Sequence, residues 1–375
     1  MKTKYNMKTK DEILSLLFFE RGSSDSTQKS YTRTINLFEK VIGLTLPEML
    51  DIAESQEDNN VSWKNRDLRK WLITYRKYVY ENYKKRTAKS YLTLVVSVFR
   101  HFEITVEKLP YFSTVSATPS IPIDPDLLVD RDVLRMCINV GNPLLKAVVL
   151  FMSSTGLAKT DTLNLTLRDY LIATDSNLNQ HPIYSVKEME GKQIIGVWNN
   201  LMRQKTGHQY YTFSSPESTT AINHYLLTRE HLNSLNLPLF DISSKRLSDL
   251  FKETNDMLGL GKNGEFSRFA THMLRRYHST QLAEAGMEEG KIDMLQGRKP
   301  RSVLYQSYLK IKPSKLKEEY IKALPYIVIE DVNKYKTELE KVKEENKLYK
   351  DELNEFRKDL NDLKKRSIIW EELKQ

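Results

Sequence analysis

Apolar residues recur at intervals of three and four through most of this chain, and that spacing confines it to a mainly helical fold. Tyr91, Leu94, Val95, Val98, Phe99 and Phe102 form one such stripe, and Leu68, Trp71, Leu72, Tyr75 and Val79 form another. A third runs through Tyr31, Ile35, Phe38 and Ile42. A helix turns once every 3.6 residues, so each set lies on one face and must be covered by a neighbouring element. Thr45-Leu46-Pro47-Glu48 supplies the Thr and Glu of a capping box, which starts another helix behind it. Residues 25–109 therefore read as a small all-helical domain, preceded by an N-terminal segment, 1–24.

The opposite faces of these helices are basic. The chain of 375 residues has 58 Lys+Arg against 49 Asp+Glu, a net charge of +9. Between Ser62 and His101 eleven Lys and Arg stand against two acids, a surplus equal to that of the whole molecule. Tyrosines and tryptophans interleave with the charges. So local a surplus points to nucleic-acid phosphates, which release condensed counterions when neutralised. Lys64, Arg69, Arg76, Lys84, Lys85, Arg86 and Lys89 are the candidate contacts to double-stranded DNA. A single cysteine, Cys137, excludes an internal disulfide and a Cys-rich zinc module, and fits a reducing compartment. The longest wholly apolar stretch, Ala147 to Met152, falls far short of the roughly 20 residues of a membrane span. The start of the chain lacks the apolar centre of a signal peptide. These features give the expectation of a cytoplasmic, nucleoid-associated protein with no membrane partner.

Pro110, Pro119, Pro122 and Pro125 mark a linker over 110–125. Beyond it, 126–326 reads as a second, mainly helical domain. Between Ile183 and Phe213 its pattern shifts to short strands, drawing on Val186, Ile194, Ile195, Val197 and Trp198 and then Tyr210, Tyr211 and Phe213, around a Lys205-Thr206-Gly207 turn. In the tail, 327–375, Val332, Tyr335, Leu339, Val342, Asn346, Tyr349, Leu353, Phe356, Leu360 and Leu363 alternate in steps of three and four. That is a heptad seam with Asn346 at an a position, the pattern of a coiled coil that self-associates in register. A long helix folded back on its own protein is the alternative. Gly259-Leu260-Gly261-Lys262 lacks the Walker Ser/Thr and reads as a helix-ending turn. The seven histidines show no ligand spacing, so neither cofactor nor metal is expected.

Four fragments of the second domain carry the chemistry. They are Ser153-Ser154-Thr155-Gly156-Leu157-Ala158-Lys159-Thr160-Asp161-Thr162-Leu163-Asn164-Leu165, Arg203-Gln204-Lys205-Thr206-Gly207, His272-Met273-Leu274-Arg275-Arg276-Tyr277-His278, and Leu295-Gln296-Gly297-Arg298-Lys299-Pro300 followed by Tyr308. Each is commonplace alone. In this order and spacing they resemble the tyrosine recombinases, or phage-type integrases, in a form most like archaeal integrases and Xer-like recombinases. The resemblance covers about 25–326. It implies a fold that is mainly α with a small β-sheet or hairpin: a helical core-binding domain, a tyrosine-recombinase catalytic domain and, in this chain, a C-terminal coiled coil.

The resemblance implies that Tyr308, with Tyr305 as the alternative, attacks the scissile phosphodiester and forms a 3′-phosphotyrosyl link. It implies Arg275 as the guanidinium clamp, His272 as a phosphate ligand or proton carrier, and Lys205 as the acid for the leaving 5′-oxygen. Arg298 stands where the family usually has His or Trp. The phenol is a poor nucleophile at its free pKa near 10, and planar guanidiniums match the charge that builds on the phosphate oxygens. One position departs from the pattern: Ala158 and Lys159 occupy the two places of the first family Arg, and Lys159 is the better match. A lysine keeps the charge and loses the fork. The implied activity is site-specific DNA recombination or integration for a mobile element, by a tetramer on DNA. The alternatives are a catalytically weakened DNA-binding relative and a type IB-like topoisomerase.

Overall fold

The computed structural model of the protein describes residues 9–113, 121–299 and 311–330. Internal contacts divide the chain into two units, Met1–Pro122 and Ile123–Gln375.

Among its described residues the first unit has five α-helices, α1 (Lys10–Glu20), α2 (Asp25–Ile42), α3 (Leu46–Asp58), α4 (Asp67–Asn82) and α5 (Lys85–His101), with one 3-10 turn at Trp63–Asn65. The three stripes read from the sequence meet in its core, where Ile35, Phe38, Leu72, Tyr75, Val79, Val98 and Phe99 are fully buried. Phe38 packs edge-on against Tyr75 at 4.9 Å and Phe99 at 6.1 Å between ring centres, the arrangement aromatic quadrupoles favour. The capping box closes the start of α3 as expected. The segment before residue 25 belongs to this core and does not stand apart. Thr9 and Glu12 form a capping box at α1, and Ile13, Leu14 and Leu17 are buried. Lys10 pairs with Glu39 at 2.8 Å, and Arg21 donates to Tyr31 Oη at 2.8 Å.

Among the expected DNA contacts, Lys64, Lys84, Lys85, Arg86 and Lys89 are exposed and Arg69 is half-buried. Arg76 corrects the expectation. It is buried, its Nη1 donates to Pro110 O at 2.8 Å, and its guanidinium lies over the Phe112 ring at 4.7 Å. The side chain is consumed in fastening the segment after α5 onto α4.

The second unit runs α6 (Arg131–Val140), α7 (Pro143–Thr155), α8 (Lys159–Leu163), α9 (Leu167–Ala173), α10 (Pro182–Glu188), β1 (Gly196–Met202), β2 (Gln209–Ser214), α11 (Pro216–Leu227) and α12 (Ser244–Met257). The short strands β3 (Lys262–Asn263) and β4 (Phe266–Ser267) follow, then α13 (Thr271–Glu284), α14 (Glu289–Leu295) and α15 (Pro313–Ile327). Val186, read as strand, lies in α10; a short apolar run without a clear period fits either state, and Pro182 at the first turn tips it to helix. β1 and β2 pair antiparallel from Gly196↔Ser214 to Met202↔Gln209, with a bulge between Trp198 and Leu201. Gly259 and Gly261 lie in the turn that follows α12, as read.

α7 is the axis of this unit. Every residue from Ala147 to Thr155 is buried, and the helix packs against α6, α11, α13 and β2. Its hydroxyls are absorbed internally, Ser153 donating to Leu150 O and Thr155 to Phe151 O. Its last carbonyls accept from Tyr320 Oη on α15 and Thr212 Oγ1 on β2. α15 is built into the same unit, with Leu316, Tyr320 and Ile327 fully buried.

This packing continues past 326, where the sequence placed the end of the domain. Val328 and Ile329 are fully buried, and the Glu217 carboxylate accepts the N–H groups of Ile329 and Glu330 at 2.8 and 2.9 Å. The heptad positions from Val332 to Leu363, Asn346 included, lie outside the described residues. Among the described residues no helix is long and apolar enough to cross a membrane. No cluster of three or more His, Cys, Asp or Glu among them could hold a metal ion.

Candidate active site

The site begins where α7 stops. Gly156 caps the helix in the left-handed conformation at φ +66°. A Cβ there would lie 2.5 Å from His278 Nδ1 and 2.9 Å from Gln296, so only glycine lets α7, α13 and the turn after α14 meet. The carbonyl of Gly156 accepts from Arg275 Nη1 at 2.7 Å, and Gln296 O accepts from Arg275 Nη2 at 2.6 Å. The two ends of the fork are thus fixed to two different turns. Gln296 Nε2 returns to α13, donating to Arg275 O at 3.0 Å and lying 2.8 Å from His278 Nδ1.

His278 is wholly buried. Burial first, and then the charges of Arg275 and Arg298, push its pKa down to about 3. It is therefore a neutral ring whose Nδ1 braces the Gln296 amide.

The second glycine, Gly297, has φ +61° and lies flat against Tyr210, whose ring atoms a Cβ would meet at 2.7–2.8 Å. Its carbonyl accepts from Arg203 Nη1 at 2.8 Å. Consecutive carbonyls, Gln296 O and Gly297 O, therefore each anchor one guanidinium. Arg298 follows directly, its backbone N–H donating to Asp293 O at 2.8 Å and its Nη1 lying 3.5 Å from Asp293 Oδ1.

These cations repel one another. The pKa of Arg275 is lowered to about 10, by burial first and then by Arg298 and Arg203, with Tyr210 and Asp161 pulling the other way. It stays charged near neutrality. Tyr210, chiefly through burial, is raised far above an ordinary phenol and remains protonated. Asp161 is buried and its Oδ1 accepts Gln204 N at 3.1 Å, which seats the root of the hairpin beside the cluster.

Arg275 and Arg298 are thus brought together, as the sequence implied. His272 lies one helical turn before Arg275 on α13, its ring edge-on to Phe266 at 5.1 Å. Desolvation and then Arg276 lower its pKa from 6.5. Lys205 is exposed at the tip of the β1–β2 hairpin. Lys159 opens α8, but its ammonium is bound by α12, donating to Ser248 Oγ at 2.8 Å and Ser244 O at 3.1 Å. Tyr308 and Tyr305 lie outside the described residues, between Lys299 and Ile311. Sequence reasoning gave no role in the site to Arg203, Tyr210, His278 and Asp161. Arg203 stood inside a quoted fragment, but its value comes from a contact to Gly297 that residue spacing does not reveal.

Three guanidiniums converging on one turn make a centre for an anion, and their planar forks suit the oxygens of a phosphate ester. Residues 209–326 match the family model described as archaeal phage integrase. This stretch is thus similar to the archaeal phage integrases. It contains Tyr210, His272, Arg275, His278, Gln296, Gly297 and Arg298, while Gly156, Lys159, Arg203 and Lys205 precede it. Solved structures similar to most of the chain include the XerA recombinase, at 17% identity over 82% of this chain and 95% of that one, with a TM-score of 0.34. The Tn1549 transposon integrase in complex with transposon right end DNA is 13% identical over 83% and 99%, with a TM-score of 0.47. A lambda integrase dimer bound to a COC′ core site is 14% identical over 81% and 80%, with a TM-score of 0.40. No curated protein matches the chain by sequence. The described residues have the mainly helical architecture and small sheets expected from the sequence.

Proposed function

We propose that the protein is a site-specific DNA recombinase that cuts and rejoins strands through a 3′-phosphotyrosyl intermediate. The observation that carries this reading is the arginine centre, Arg275 locked between Gly156 O and Gln296 O beside Arg203 and Arg298, with Arg275 and Arg298 in the stretch that matches the integrase model. Tyr308 Oη attacks the scissile phosphorus; the new O–P bond forms as the P–O5′ bond breaks. His272, whose neutral form is favoured by desolvation and then by the charge of Arg276, accepts the phenolic proton. Lys205 delivers a proton to the departing 5′-oxygen, leaving a free hydroxyl. Arg275 and Arg298 hold the non-bridging oxygens, where charge accumulates. Attack by the 5′-hydroxyl of another strand reverses the steps and releases the tyrosine, so the bond energy is conserved without a cofactor.

Lys64, Arg69, Lys84, Lys85, Arg86 and Lys89 are proposed to bind the duplex backbone. The tail 331–375 is proposed to pair protomers, and four protomers to assemble on two sites. Incubating the protein with nicked duplexes that carry a randomised core, and recovering SDS-resistant protein–DNA adducts, tests the reading and identifies the preferred site. Wild type gives adducts and Tyr308→Phe gives none. A wild type that binds the duplexes and never forms an adduct would leave a DNA-binding relative as the answer.

A further inference from the structure

Resting on that reading, we propose that Arg203 is a catalytic residue whose guanidinium holds a non-bridging oxygen of the scissile phosphate, the task that neither Ala158 nor Lys159 performs. The start of α8 offers Lys159 as its cation, and α12 has already taken that ammonium through Ser244 O and Ser248 Oγ. Ala158, two residues after Gly156, offers no polar group. The hairpin supplies a replacement from another direction.

Arg203 is fixed before any ligand arrives. Its N–H donates to His208 O at 2.9 Å, and its carbonyl accepts from Thr206 N and Gly207 N at 3.1 and 2.8 Å, so it forms the base of the turn. Gln204, its neighbour, is held by Asp161. The side chain then spans to Gly297 O through Nη1, and among the described residues Nε and Nη2 have no acceptor. Arg275 is anchored on the adjoining carbonyl, Gln296 O. Two forks fastened to consecutive peptide units cannot drift apart, and their mutual repulsion is relieved when an anion enters between them. Each non-bridging oxygen accepts more than one N–H, so Arg203 adds its fork to those of Arg275 and Arg298. Asp161 and Asp293 are the carboxylates facing the cluster, and each already has a backbone or guanidinium partner.

Single-turnover adduct formation by the full chain tests this, on the nicked duplex recovered by the selection described above. Arg203→Ala lowers the rate about 10²–10³-fold at saturating DNA, while affinity changes less than about threefold. Arg203→Lys restores only a small part, because the fork is lost. Lys159→Ala costs less, under about tenfold. A duplex with a neutral methylphosphonate at the scissile position separates contact from scaffolding. With no charge to neutralise, the gap between wild type and Arg203→Ala shrinks at least tenfold. An unchanged gap on that duplex would make Arg203 a structural residue and overturn the proposal, as would an Arg203→Ala rate within threefold of wild type or a larger loss in Lys159→Ala. Absence of adduct from wild type itself overturns the recombinase reading and this assignment together.

Discussion

Arg76 in the first unit and Arg275 in the second are both held against backbone carbonyls, and the two show how the same side chain serves opposite ends. Arg76 donates to Pro110 O and covers Phe112; Arg275 donates to Gly156 O and Gln296 O. Burial is the first cause lowering the pKa of both. The second cause differs in sign. For Arg76 it is Tyr80, which favours the charged form, whereas for Arg275 it is Arg298, with Arg203 next, and both disfavour it. One guanidinium is a staple whose surroundings are content with it. The other sits among like charges, and the proposed phosphate would relieve that tension.

The contrast can be broken at several points. Arg275→Ala removes adduct formation by about 10³-fold or more, the loss of a transition-state clamp. Arg76→Ala leaves the single-turnover rate at saturating DNA near wild type and lowers the urea stability of the first unit by about 2 kcal/mol, through the orphaned Pro110 carbonyl and the uncovered ring. Equal kinetic losses in the two variants would erase the distinction. Gly297→Ala places a Cβ against Tyr210 in a left-handed residue, and a destabilisation of about 2 kcal/mol in the second unit is expected from strain alone.

His278 sharpens the comparison through pH. Its folded pKa, about 3, lies below the unfolded value of 6.5, so the unfolded chain takes up a proton that the native state refuses. The stability it contributes is complete above pH 6.5 and is lost progressively as pH falls toward 3. Urea titrations should lose about 2 kcal/mol between pH 6.5 and 5 from this group alone, and His278→Gln should flatten that slope. The smallest effect belongs to the exposed cations. Replacing Lys85 or Arg86 by Ala should reduce the slope of log affinity against log salt by about 0.9 each, whereas Arg76→Ala should leave it unchanged.

The helices of the first unit were legible because their apolar residues keep one period against one core. α1 was not, since Leu16, Leu17, Phe18 and Phe19 crowd its circumference and Phe19 remains exposed, so no single stripe announces which side docks. In the second unit, the residues of the site could be named from their fragments, but their partners could not. Arg203 reaches Gly297 and Lys159 reaches Ser248 across long stretches of chain, and only the folded turns decide which cation faces the centre. The Tyr308 assignment and the coiled-coil reading of the tail still stand on the sequence.

The most direct test of the account is to digest a trapped protein–DNA adduct and locate the nucleotide by mass spectrometry. The account predicts a 3′-phosphodiester on Tyr308, with the other strand end released as a free 5′-hydroxyl. A nucleotide on Tyr305 or any other residue, or a 5′-phosphate linkage, would contradict it.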